Sequence, residues 1–191
     1  MVARLLEIDQ AILRDAADKA MAATSAKISV VVASVSDDYY DFILLYGFIG
    51  GSVLGLFLWA CGLMTDLPLL LVLQGAVIVA ADALPWCRSY CVGIVPLHIR
   101  QQRGAREAMR QYQYLRSKLF EDMPFVELYV SLADRYVQVV TNPAVHKEIP
   151  ANWDKVTNEF TAAARKQGVS LAAAAALKHI GERLAEKFPK N

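Results

Sequence analysis

The run Phe42–Met64, FILLYGFIGGSVLGLFLWACGLM, holds 23 residues without a charged side chain. A helix gains about 1.5 Å per residue, so roughly 20 apolar residues cross the hydrocarbon core of a bilayer. This run therefore predicts a transmembrane helix over 42–64. A second apolar run, 67–87, follows after Thr65 and Asp66 alone and carries one charge before its end, Asp82. So short a link forces the two predicted helices into a tight hairpin. With 55% hydrophobic residues in 191 and a mean hydropathy of +0.30, some apolar mass has to face lipid. The net charge of +1 provides no global field for nucleic acid.

Lysine and arginine near the membrane ends set orientation. The link between the runs has neither, whereas Arg88, Arg100, Arg103, Arg106 and Arg110 follow the second run. Both termini are expected in the cytoplasm. The first 35 residues include EIDQAILRDAADK, too charged for the apolar core of a cleavable signal peptide. Cys61, Cys87 and Cys91 fall in or beside the membrane, on a reducing side where structural disulfides are not expected.

The flanking segments read as soluble structure. Leu5, Ile8, Ile12, Ala16 and Ala20 recur every three or four residues and predict a helix to about Ala23. Ile28–Val35 is short, β-branched and apolar, the pattern of a strand covered on both faces. Beyond the hairpin, 96–119 predicts a helix with a stripe of Ala105, Met109, Tyr112 and Leu115. Phe125–Val130 and Tyr136–Val140 predict two strands joined through SLADR. Pro150 is placed to open a helix bearing Trp153, Val156, Phe160 and Ala164. Gly168 ends that helix, and Ser170 is placed to cap the next, which bears Leu177, Ile180, Leu184 and Phe188. One strand and one helix cannot bury both their faces, so the pieces before and after the hairpin have to pool. The expected fold is α/β: a small mixed sheet flanked by helices, in a split cytoplasmic domain of 1–41 and 96–191 interrupted by a two-helix transmembrane hairpin.

Several stretches in this order resemble the bacterial membrane branch of the TPM domain family. They are the first helix followed by TSAKISVVVASVSDDYYD (Thr24–Asp41), the two spans, VPLHIRQQRGAREAMRQY (Val95–Tyr112), ELYVSLADRYVQVV (Glu127–Val140), the tryptophan-bearing helix and ERLAEKFP (Glu182–Pro189). The resemblance implies a TPM-like α/β/α sandwich in a bacterial inner-membrane protein. Some relatives are acid phosphatases or bind a divalent cation, and others are accessory proteins of membrane assemblies. Where members with an acidic metal site run from the last strand into aspartate and glycine, Thr141–Val145 here reads TNPAV. The resemblance thus carries the fold and not the activity.

Candidate sites follow from residue chemistry. Asp37, Asp38 and Asp41, after the first strand, could hold a hard cation such as Ca²⁺ or Mg²⁺ through oxygen ligands, or form a solvated turn into the membrane. Cys87 and Cys91 lie one helical turn apart with His98 beyond, but the second ligand pair that zinc needs is missing from the sequence. The phosphate-cradling glycine motifs are also missing. Gly47, Gly51 and Gly55 make a small-residue ridge, expected to pack on Gly75, Ala76 and Ala80 of the second run or on another copy or a foreign helix. Asp82 is expected at the membrane interface or paired with Arg88. Arg100, Arg103, Arg106 and Arg110 are expected on lipid head groups, because basic residues beside an anionic leaflet are attracted to it; RNA is disfavoured for want of a stacking platform.

The functional expectation is a non-enzymatic accessory or scaffold protein, binding a membrane complex or forming a homo-oligomer, with no resident cofactor and no nucleic acid. The alternative is a divalent-cation-dependent phosphatase using Asp37, Asp38 and Asp134.

Overall fold

A computed structural model describes residues 7–63, 67–84, 92–119, 123–150 and 153–190. The chain folds into two compact units, one of Asp37–Arg100 and one of Ala3–Ser36 with Gln101–Asn191. The second unit thus draws its elements from both sides of the apolar segment.

That unit contains a three-stranded mixed sheet in the order β1-β2-β3, with β1 at Lys27–Ala33, β2 at Phe125–Ser131 and β3 at Tyr136–Thr141. β1 runs parallel to β2, with Val30 opposite Leu128, and β3 runs antiparallel to β2, with Leu128 opposite Val139. β2 is the central strand, and all seven of its residues are buried. The short β2–β3 turn sets Arg135 at φ 51°. A side chain in this left-handed region costs about 1 kcal/mol relative to its usual conformations.

Alternation along the strands sends residues to two cores. Ile28, Val126, Leu128, Val130 and Val139 face one of them. Helices α1 (Glu7–Ala22), α6 (Asp154–Gln167) and α7 (Val169–Lys187) cover that side, contributing Leu13, Ala20, Val156, Phe160, Leu177 and Ile180. The buried line of α1 runs through Leu13 and Ala20, so Leu13 replaces the half-buried Ile12; the side chains of Leu5 and Ile8 lie outside the described residues. α1 and α7 approach closely, since a Cβ on Gly181 would stand 2.9 Å from Ala20 Cβ. Thr24 closes this layer by donating its hydroxyl to the Phe188 carbonyl at 2.7 Å.

The other core is aromatic. Phe125, Tyr129 and Val140 pack with Ala108 and Tyr112 of helix α4, Leu97–Leu119, and the Tyr112 and Phe125 rings stack at 5.7 Å. Met109 is 44% exposed, so the inward stripe of α4 runs through Gly104, Ala108 and Tyr112 and not through the Met109 that periodicity suggested. Gly104 sets the approach: a Cβ there would meet the Tyr136 ring at 2.7 Å.

Two local features differ from the sequence reading. The residues after β3 form a short helix, α5 at Pro143–Glu148, that periodicity did not indicate. Asn142 caps it by accepting the Val145 amide at 3.0 Å while donating to the Met123 carbonyl at 2.8 Å, and Pro143 takes a first-turn position where a missing N–H costs nothing. Ser170 is not a cap: α7 begins at Val169, so Ser170 is buried in its first turn, with Gly168 at φ 91° both ending α6 and preceding α7.

In the first unit, α2 spans Tyr40–Ala60 and α3 spans Leu67–Ala83. Among the described residues α2 is the one helix long and apolar enough to cross a membrane, with a hydropathy of 2.0 over its most apolar stretch. α3 has 17 residues, and its apolar stretch Leu71–Ala80 is too short to qualify. Residues 85–91, which contain the expected end of the second run, lie outside the described residues.

Candidate functional site

The glycine ridge of α2 is where the first unit is most closely built. Gly47, Gly51 and Gly55 are all buried. A Cβ on Gly47 would stand 3.1 Å from the Ile78 backbone, and one on Gly51 would stand 3.0 Å from the Gln74 side chain and 3.1 Å from its backbone. Numbers rise along α2 as they fall along α3, so the helices are antiparallel. The α3 face against the ridge is Gln74 and Ile78, not the Gly75, Ala76 and Ala80 suggested by size. Gly75 would meet nothing within 4 Å, and Ala76 and Ala80 are exposed.

Gln74 gives this contact a polar lock. Its amide donates to Ser52 Oγ at 2.7 Å and to the Phe48 carbonyl at 3.4 Å, and the residue is only 9% exposed. Away from water, such a bond fixes which turn of one helix faces which turn of the other. By contrast Leu45, Phe48, Val53, Leu56, Phe57 and Trp59 point outward and are exposed. Cys61 is a free, exposed thiol. The side chain of Asp82 and all of Trp86, Cys87, Arg88 and Cys91 lie outside the described residues.

Asp37 and Asp38 are exposed after β1, and Asp41 is exposed in the first turn of α2. The Asp37 carboxylate accepts the Asp38 amide at 2.7 Å. Among the described residues no three histidine, cysteine or acidic side chains are gathered so as to hold a metal ion, so Asp37, Asp38 and Asp41 do not form the expected ligand group. Asp134, the third carboxylate of the phosphatase alternative, is fully buried. One of its oxygens accepts both the Ser36 amide at 2.8 Å and the Ser131 hydroxyl at 2.6 Å. Those bonds tie the β2–β3 turn to the end of β1, with the Tyr129 hydroxyl donating to Ser36 Oγ at 3.1 Å alongside.

The arginine row lies on α4 with unequal surroundings. Arg106 and Arg110 are exposed, whereas Arg100 and Arg103 are half-buried. Arg110 already pairs with Glu107 through two contacts of 2.9 Å. At about 100° per residue, Arg103, Arg106 and Arg110 fall within one narrow stripe, roughly opposite Ala108 and Tyr112. Within this stripe Arg110 is paired on its own helix.

A group that sequence reasoning passed over lies beneath α4. Glu127, in the middle of β2, is fully buried, and among the described residues neither carboxylate oxygen has a hydrogen-bond partner. Its cross-strand neighbours are Ser29 and Val140, and alternation places it between Phe125 and Tyr129. Loss of solvation pushes its carboxyl up to about 7, because a charge in an apolar layer lacks the water that would stabilise it. Burial likewise raises Tyr112, with Glu127 adding to the rise and Arg116 opposing it. The available signal was an acid inside FVELYV, a run otherwise apolar.

No protein-family model matches the chain, and no curated relative does. Among solved structures it is similar to the NMR structure of BA42 protein from the psychrophilic bacterium Bizionia argentinensis. The identity is 14% and the TM-score 0.56, with all of this chain and 89% of that one covered. At that identity the likeness concerns the fold alone.

Proposed function

We propose that this chain is a non-enzymatic accessory or scaffold protein of the bacterial inner membrane. The α2–α3 hairpin anchors it, both termini are cytoplasmic, and a TPM-like domain built from residues on either side of the hairpin binds a protein partner, a membrane complex or further copies of itself. The observation that carries this reading is the two-sided character of α2. Its glycine face is consumed by Gln74 and Ile78, while large side chains such as Phe48, Leu56, Phe57 and Trp59 are more than half exposed. So continuous an apolar surface is stable only against lipid or other apolar helices.

The arginine row of α4, with Arg106 exposed and unpaired among the described residues, then supplies the electrostatic part, at about 1 kcal/mol for each basic residue beside an anionic leaflet. Arg110 contributes less, because binding lipid would break its pair with Glu107. Extraction of native membranes in mild detergent tests the reading: a stoichiometric partner or a defined homo-oligomer is expected, and a lone monomer at native expression refutes it. Reporter fusions at each terminus test orientation, and an external terminus refutes that part.

A further inference from the structure

Residues of the β2–β3 hairpin, of α6 and of the start of α7 line an open cleft of about 470 Å³, within the range of small-molecule sites, about 300–1,000 Å³. Its walls include Leu132, Val137, Phe160 and Val169, and its charged lining is Arg135 from the hairpin and Arg165 from the last turn of α6. Among the described residues no carboxylate lines it. Both arginines are exposed, and neither forms an ion pair or side-chain hydrogen bond among the described residues. One oxygen of the nearby, fully buried Asp134 carboxylate accepts from Ser36 and Ser131.

The ordinary roles of these cations leave the cleft unexplained. A basic residue in the last turn offsets a helix dipole, but Lys166 stands there too. Arg135 sits at φ 51°, where glycine or asparagine is less strained. A hairpin turn alone does not call for a guanidinium there. Two guanidiniums without partners beside an apolar wall match a ligand with a doubly charged head and a hydrocarbon tail, because the planar fork of arginine pairs with phosphate oxygens two at a time.

We propose that this cleft binds an alkyl phosphate monoester, its head held by Arg135 and Arg165 and its chain lying along Leu132, Val137 and Phe160. A phosphate monoester carries close to two negative charges at neutral pH, which complements the two arginines. The head could belong to a soluble metabolite or to a phosphomonoester lipid. The site is independent of the accessory role proposed above.

The test is calorimetric titration of the full-length protein, held in nanodiscs of zwitterionic lipid, with n-hexyl phosphate, inorganic phosphate and hexanol, against empty discs. Hexyl phosphate is expected to bind at least about tenfold more tightly than either comparator, since a hydrogen bond to a charged group and burial of a short chain each contribute that much or more. Arg135→Asn and Arg165→Gln should each weaken it about tenfold or more. Both positions are exposed, so circular dichroism should show an unchanged fold. Thr161→Trp, at another exposed lining position, should remove the advantage of the alkyl chain and leave inorganic phosphate unaffected. Discs containing phosphatidic acid separate the sources: competition with hexyl phosphate supports the site with a lipid head group as ligand, and undiminished binding supports it with a soluble monoester. Absence of hexyl phosphate binding, equal binding of hexanol, or unchanged affinity in the Arg135→Asn/Arg165→Gln double variant overturns the proposal.

Discussion

Glu127→Leu is expected to make the domain more stable above neutral pH and to flatten its pH dependence. The carboxyl is fully buried without a partner among the described residues, and burial lifts it from an ordinary 4.5 to about 7. Below 4.5 the acid is protonated whether the chain is folded or not, and its contribution to stability is fully present. Between 4.5 and 7 the unfolded chain releases the proton while the folded chain keeps it, so stability falls as pH rises. Above 7 the loss is complete, at about 3 kcal/mol from 1.36 kcal/mol per pH unit of displacement. Leucine has a similar reach between Phe125 and Tyr129 and carries no charge to desolvate. Urea unfolding of the full chain in mild detergent, read by hydrogen exchange of peptides covering 125–141, should show the variant gaining about 3 kcal/mol over wild type at pH 8. At pH 4.5 the gain should shrink to within about 1 kcal/mol. A variant-minus-wild-type difference that does not change between these pH values would refute the reasoning, because it would mean that the Glu127 proton is not linked to folding.

Three further substitutions probe the packing. Gly51→Leu should force α2 and α3 apart, since even a Cβ would meet Gln74 at 3.0 Å; it should lower the thermal midpoint of the hairpin in detergent, while Gly50→Leu, which faces open space, should not. Gly104→Val should destabilise the sheet domain by about 1–3 kcal/mol through overpacking against Tyr136, measured by urea unfolding, and an unchanged midpoint would show that α4 can move away freely. Asn142→Ala should cost about 1 kcal/mol by removing the α5 cap, with faster amide exchange at Val145 as its local signature.

How legible the chain was depended on whether a feature is local or is decided across a contact. The three strands were legible because Val30–Val32, Leu128–Val130 and Val137–Val140 are runs rich in β-branched, aliphatic and aromatic residues, broken only by Gln138, and bounded by turn residues. α5 was missed although its chemistry is local: asparagine before proline is a cap followed by a first turn, but TNP was read as a departure from a family turn. The inward face of α4 was misplaced for a different reason. Met109 fits the helical period as well as Ala108 does, and what decides between them is the close approach of Tyr136 to Gly104, a residue contact 32 positions away in sequence.

The candidate-site residues divide along the same line. The glycine ridge was visible because small residues four apart leave a mark on one helix. Its partner was not, because Gln74 and Ile78 are chosen by antiparallel register, and small size on α3 pointed to residues that face outward. Gln74 and Glu127 are the sharper comparison, since each is a single polar residue inside an apolar run that a hydropathy average erases. Gln74 finds Ser52 at 2.7 Å, so its burial specifies how α2 and α3 meet. Glu127 finds no partner among the described residues, so its burial holds a proton near neutral pH. Sequence shows that both are anomalies; only the partner, present for one and missing for the other, decides that the first fixes a register while the second makes folding answer to pH.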